Sequence, residues 1–353
     1  MSDYQKILGD LIKTVITEGG SDLHISEGRH PTIRVSGQLL PLIKHPVLNK
    51  DDTAGILAVL LSSQNKELFY NTREIDFSYS APEGRFRGNA FFQQGAVSIA
   101  LRLVTNKIRN FDELNLPEIL KTFADKQQGF FLVVGPVGHG KSTTLAAMID
   151  YINSNRAEHI LTIEDPIEYI YEQKRSIIDQ REVRIDTADF PVALKSMFRE
   201  DMDVVLIGEM RGNDTISTAV TAAETGHLVF STLHTNSASQ TIDRIIDSFP
   251  AAQQDQIRTQ LASSLNGIFS QRLIPRISGG LVPAFELLIN NGAVANLIRE
   301  KRTHEINTVI ETSSQEGMID MNRCLADLVA RGEITIENAY LFSNNPKGLE
   351  RLL

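Results

Sequence analysis

The chain is expected to be an α/β protein in which a doubly wound parallel sheet with a phosphate-binding loop follows a smaller N-terminal α+β domain. Three observations predict this. At 353 residues the chain exceeds the length at which a single hydrophobic core keeps growing, so two domains of unequal size are expected. Beyond residue 103, short apolar runs alternate with helical segments in the βαβ manner. Between one such run and the next helical segment, residues 135–142 satisfy the pattern G-x-x-x-x-G-K-[ST].

Residues 4–18 carry Ile7, Leu8, Leu11, Ile12, Val15 and Ile16 at helical spacing and stop at Gly19-Gly20, which predicts a helix. Residues 23–25, 32–35 and 39–40 are short β-type runs separated by Gly and Pro. The pattern continues over 76–80, 85–92 and 96–103, with a helical stretch over 50–70 between, so residues 1–103 form the α+β domain. The polar passage after Leu103 marks a linker at 104–114, and 115–353 is the second domain. Its buried parallel strands are predicted over 130–134, 159–163, 204–207 and 228–232, each a short apolar run, mostly β-branched or aromatic, bounded by turn chemistry. Residues 250–353 are expected to be mainly helical, without repeats or low-complexity tracts.

Composition narrows the partners. With 35 basic and 44 acidic side chains the net charge is −9, which repels a phosphate backbone and argues against nucleic acid, save through a local basic channel. The single cysteine, Cys324, excludes an internal disulfide framework and a tetracysteine zinc site, and fits a reducing cytoplasm. No signal peptide is read at the N-terminus, and no apolar stretch nears the roughly 20 residues that span a bilayer, so direct membrane insertion is not expected.

The loop comprises Gly135, Pro136, Val137, Gly138, His139, Gly140, Lys141, Ser142 and Thr143. Its glycines let backbone N–H groups wrap closely around phosphates, and the helix beginning near Lys141 adds its positive dipole end. Leu145, Met148, Ile149 and Ile152 recur at helical spacing to pack that helix on the sheet. Lys141 is expected on the β- and γ-phosphates of ATP, with Ser142 ligating Mg2+. A Gly-rich turn without a ligand is the bland alternative.

The run 204–207 leads through Gly208 to Glu209, and a carboxylate at the end of a parallel strand can orient the attacking water, so Glu209 is the expected base. A glutamate merely paired with Arg211 is the alternative. Leu161-Thr-Ile-Glu164-Asp165-Pro166 repeats the arrangement one strand over; Glu164 can hold Mg2+ through water or assist Glu209, whereas Asp165 suits a capping turn. His227 and His234 bracket the 228–232 run; a lone histidine, His227 above all, is more often a satisfied structural residue, but at the two ends of a strand next to the nucleotide both can report on the γ-phosphate by hydrogen bonding. Arg85, Arg87 and Arg102 lie on strands of the first domain, either as a solvated face or, in a ring, reaching a neighbour's triphosphate.

Taken together these motifs resemble the secretion-ATPase superfamily and, within it, the PilT-type retraction ATPases of type IV pili. The resemblance is carried by Ser21-Asp-Leu-His-Ile-Ser with the 31–37 segment, by residues 85–92, by the phosphate loop and by an acidic box at 163–168. It continues through Gln180-Arg-Glu-Val183, Ile207-Gly-Glu-Met-Arg211 and Thr221-Ala-Ala-Glu-Thr-Gly-His227. It implies a PAS-like N-terminal domain, a RecA-like ATPase core and a homohexameric ring that hydrolyses ATP to retract pili in twitching motility.

On matching positions it implies Lys141 and Ser142 as the phosphate-loop pair and Glu209 as catalytic base. Glu164 becomes the box acid, His227 and His234 the sensing histidines, and Arg87 and Arg102 the arginine fingers. Asn296-Leu-Ile-Arg-Glu300 resembles the helix motif that this family needs for retraction. The implied setting is cytoplasmic, peripheral at the inner-membrane pilus base, with a platform protein and a second retraction ATPase as partners. His139 departs from the family's usual Ser, and Gly212-Asn213 from its commoner Asp-Leu. Alternatives are a PilU-type accessory ATPase; an assembly or type II secretion ATPase, though the expected long N-terminal region and tetracysteine element are not seen; a nucleic-acid translocase; and a nucleotide-binding module without turnover.

Overall fold

A helix at Asp3–Thr17 opens the chain because Leu8, Leu11, Ile12 and Val15 fall on one stripe and are all buried; each such burial contributes about 1.5–3 kcal/mol. The structure, a computed structural model, describes residues 3–35, 37–104, 107–210 and 212–353. Ser36 of the 31–37 segment, Thr105 and Asn106 of the linker stretch, and Arg211 lie outside the described residues. The chain divides into two compact units, Met1–Asn106 with Glu168–Ile170, and Lys107–Ile167 with Tyr171–Leu353.

In the first unit the strands are β1 (Asp22–Ser26), β2 (Thr32–Val35), β3 (Gln38–Pro41), β4 (Glu74–Ala81), β5 (Gly84–Gln93) and β6 (Ala96–Val104). They form one sheet in the order β3-β2-β1-β6-β5-β4, with every pairing antiparallel. Side chains alternate between its faces: Leu23, Ile25, Phe86, Ala90, Ile99 and Leu101 join the core with the helices, which leaves Arg87 and Arg102 on the other face. The stretch 50–70, read as one helical region, is two helices, Lys50–Leu60 and Ser63–Thr72. Leu61 turns extended, and the Ser62 hydroxyl accepts from the Asn65 N–H to start the second helix.

In the second unit the strands are β7 (Gly129–Val134), β8 (His159–Glu164), β9 (Ile177–Glu182), β10 (Val204–Ile207), β11 (Leu228–Leu233), β12 (Leu265–Pro275) and β13 (Leu281–Ile289). Their order is β13-β12-β7-β11-β10-β8-β9; all pair in parallel except β13, which runs antiparallel to β12. Register pairs Val134 with Leu233, Ile207 with Ser231, and Ile207 with Ile163. The residues that follow β7, β8, β10 and β11 therefore emerge along one carboxyl edge of the sheet, where ligands of open α/β sheets bind.

Residues 250–353 are not simply helical, since they contribute β12 and β13 to this sheet. Ser270, Gln271 and Arg272 interrupt the apolar pattern of β12, and Pro283 argues against a central strand in β13. Pro283 is tolerated because β13 is an edge strand. Among the described residues no helix is long and apolar enough to cross a membrane.

Candidate active site

The phosphate loop begins where β7, buried along its whole length, runs into Gly135. Gly135 has φ +144°, and a Cβ there would lie 2.3 Å from the Gln271 backbone oxygen. Gly138 and Gly140 both have φ +79°, the left-handed conformation in which a side chain is strained. Together these let the backbone coil into the concave array of N–H groups that binds an anion. The helix Lys141–Asn155 follows directly, with Lys141 only 7% exposed. Lys141 Nζ donates to the carbonyls of Gly135 and Pro136, both at 2.9 Å, so the ammonium is folded against its own loop. Ser142 is half-buried on the first turn, and its hydroxyl has no hydrogen bond among the described residues, which suits a ligand to a cation.

Beside the loop, His234 follows the last residue of β11. Its Nδ1 lies 3.3 Å from Lys141 Nζ, and its Nε2 lies 3.9 Å from Glu209 Oε2. Because an ammonium only donates, Nδ1 accepts and the ring proton sits on Nε2, facing the carboxylate. Glu209 stands just beyond β10, whose end is held by Gly208: its N–H donates to Ile163 O at 2.9 Å, and its carbonyl accepts from Thr232 Oγ1 at 2.7 Å. The structure thus joins Lys141, His234 and Glu209 in one polar chain along the carboxyl edge.

Glu164 ends β8 and is 7% exposed. Its Oε1 accepts from Thr162 Oγ1 at 2.7 Å and from Gln180 Nε2 at 3.5 Å. A Cβ on Gly208 would sit 3.4 Å from Glu164 Cα, so the glycine keeps this carboxylate and the end of β10 in close company. Asp165 pairs with Arg184 at 3.2 Å. Gln180 and Glu182 brace the acidic segment from β9, accepting from the N–H groups of Tyr171 and Ile167 at 3.0 and 3.1 Å.

His227 is a correction. It precedes β11 and His234 follows it, so six strand residues at about 3.3 Å each hold them roughly 20 Å apart. β11 runs parallel to β7, which places His227 at the amino edge, away from the loop. There its Nδ1 donates to the Ala222 carbonyl at 3.0 Å, and its ring packs edge-on to Phe198. Only His234 is brought to the phosphate loop of its own chain.

In the first unit, register sets Arg102 opposite Arg87 on β5 and opposite Asp22 on β1. Arg102 Nε donates to Asp22 Oδ1 at 2.8 Å, and Arg34 lies 3.8 Å from the other oxygen. Burial raises the Asp22 pKa, but hydrogen bonds from Ser21 and Arg102 outweigh it and hold the carboxyl below its usual range. Arg102 is therefore a tethered arginine and Arg87 an exposed one.

The loop after His234 is held from beneath. Ser270 Oγ donates to Asn236 O at 3.1 Å, and Glu286 Oε1 of β13 accepts from Ala238 N–H at 2.7 Å. Burial pushes the Glu286 carboxyl up to about 7 against the Ala238 N–H, which lowers it. Between about pH 4.5 and 7 the folded chain keeps a proton that the unfolded chain has released, so stability falls as pH rises through that window, by roughly 3 kcal/mol in all. Glu286→Gln keeps the acceptor and removes the charge. Its melting temperature is expected to exceed that of the parent above pH 7 and to match it near pH 4.5; an offset independent of pH would refute the buried titration.

A phosphate-type loop at a strand-to-helix turn, with carboxylates at neighbouring strand ends, defines the P-loop class of α/β proteins. Residues 2–280 match the family described as type II/IV secretion system protein, and the chain belongs to that family. The type IV pilus retractation ATPase PilT of Pseudomonas aeruginosa is 45% identical over 331 residues, 94% of this chain and 96% of the relative. The type IV pilus ATPase PilU of the same organism is 40% identical over 345 residues, covering 97% and 90% of the two chains. The crystal structure of the pilus retraction motor PilT with bound ADP aligns at a TM-score of 0.91 and 45% identity, covering 97% of this chain and 98% of that one.

Proposed function

We propose that this chain is an ATP-hydrolysing motor that drives retraction of type IV pili and, with it, twitching motility. One observation carries the reading: the end-to-end likeness, in sequence and in fold, to a pilus retraction motor whose structure holds ADP.

Residues 135–143 hold the phosphates of ATP, with Lys141 exchanging its carbonyl partners for the β- and γ-phosphate oxygens. Ser142, together with the phosphates, would hold Mg2+, which would supply positive charge against the charge developing on the phosphates. Glu209 orients and deprotonates the attacking water, and Glu164 assists from the next strand. His234, already between Lys141 and Glu209, reports the presence of the γ-phosphate. Residues 1–103 act as the PAS-like domain, 104–114 as linker and 115–353 as the RecA-like domain. In a homohexamer, Arg87 and Arg102 reach the neighbouring subunit's triphosphate, and Asp22 aims Arg102. The ring works in the cytoplasm at the inner-membrane pilus base, docked on a platform protein and accompanied by a second retraction ATPase.

Deleting the gene is expected to leave cells with surplus surface pili and no twitching, seen by electron microscopy and motility plates. Bald cells would assign the chain to assembly instead. The likeness to PilU favours one second reading, an accessory retraction motor; in that case deleting the gene alone leaves twitching in place.

A further inference from the structure

We propose that Gln271 is a positioning residue that clamps both ends of the phosphate loop and thereby sets its affinity for nucleotide. This rests on the reading that residues 135–143 hold nucleotide phosphates.

Gln271 lies on β12, one residue beyond the Ser270–Val134 pair, and is 2% exposed. Its backbone oxygen fills the place that a side chain on Gly135 would take. Its side chain spans the loop: Nε2 donates to the His139 carbonyl at 2.8 Å, and Oε1 accepts from Thr144 Oγ1 at 2.6 Å. Thr144, 1% exposed, belongs to the first turn of the helix that follows the loop. A carbonyl cannot donate, so the amide's orientation is determined: nitrogen toward His139 and oxygen toward Thr144. A primary amide supplies a donor on one branch and an acceptor on the other, as this position requires. β12 adds a parallel tie, with Leu273 N–H donating to His139 Nδ1 at 2.9 Å.

The consequence for binding is electrostatic. A phosphate loop works by presenting N–H groups, and a peptide oxygen swung toward the anion repels it. Gln271 holds the His139 oxygen in a hydrogen bond, while the glycines before and after remain in the conformations the array needs. Removing the amide leaves the half-buried His139 oxygen and the buried Thr144 hydroxyl without these partners, and the loop reorganises to recover them.

The test compares binding of fluorescent mant-ADP by the full chain and its Gln271→Leu and Gln271→Glu variants, with circular dichroism to check folding. At about pH 8 each variant is expected to bind at least about tenfold more weakly than the parent. Acidification to about pH 5.5 shifts the glutamate toward its neutral form, which burial favours, and the neutral acid again offers one donor and one acceptor. Gln271→Glu should then recover to within about threefold of the parent, while Gln271→Leu stays weak. The charged or titratable groups around the position are His139 and Lys141 on the loop, His234 beside Lys141, Arg272 on β12 and Glu286 on β13. The pH response of Gln271→Leu measures theirs. Burial, with Arg272 and Lys141, lowers the His139 pKa, so its acceptor role persists toward acid.

Parent-like affinity in Gln271→Leu, or no acid recovery in Gln271→Glu, overturns the proposal. If the Gln271 variants do not fold, Thr144→Val decides, since it removes only the hydroxyl that Oε1 accepts: weaker mant-ADP binding supports the clamp and unchanged binding refutes it. A parent chain that binds no mant-ADP overturns the nucleotide reading, and this proposal with it.

Discussion

Glu209→Gln is expected to lower ATP turnover by about 100- to 10,000-fold, the range spanned by loss of a general base, while nucleotide binding persists. The substitution preserves size and removes only the basic oxygen. Glu209 Oε2 lies 3.9 Å from His234 Nε2, beyond the end of β10. Phosphate release measured beside mant-ATP binding separates the two effects. Undiminished turnover would move the base to Glu164, whose backbone and side chain lie against Gly208 at the end of β10.

The second large effect is steric. Gly135→Ala drives a methyl to within 2.3 Å of the Gln271 backbone oxygen, at φ +144°. That oxygen belongs to a strand paired on both sides, so it cannot yield without moving β12 from β7 or β13. A loss of about 3 kcal/mol or more is expected, with nucleotide binding abolished. Gly138→Ala is the control: its φ is +79°, but a Cβ there meets nothing within 4 Å, so only the left-handed strain of about 1–2 kcal/mol applies. Thermal unfolding of the pair should rank Gly135→Ala as much the more damaged. Equal losses would mean that conformation, not the approach of β12, makes Gly135 necessary.

How far the fold could be read follows from how each strand is buried. β7, β8, β10 and β11 lie inside a parallel sheet, and their continuous apolar runs announce it. β5 is buried mainly on one face, so Phe86, Gly88 and Ala90 alternate with Arg87 and Asn89, whereas β6 is buried throughout 96–99 and alternates only at Leu101 and Arg102. β12 resists such reading because Ser270 and Gln271 are polar yet fully buried, each satisfied by a distant partner: Asn236, His139 or Thr144. A signal was present in Ile268, Phe269, Leu273 and Ile274 closing on Pro275, but Ser270, Gln271 and Arg272 break it in the middle.

The histidines show the same limit from the other direction. His227 and His234 look equivalent as the two brackets of one strand, and only strand direction separates them. A parallel sheet gathers the carboxyl ends of its strands on one edge, so the residue after β11 meets the loop and the residue before it does not.

From the sequence alone came the phosphate-loop pattern at its strand-to-helix turn, the acids at two strand ends and the kinship that joins them to a motor, because spacing and local chemistry suffice for each. Tertiary structure alone decided which histidine reaches Lys141, that Asp22 tethers Arg102, and that β12 runs beneath the loop with Gln271 spanning it. The reason is physical: these contacts join residues 80 to 132 positions apart, brought together by sheet register that no local pattern encodes.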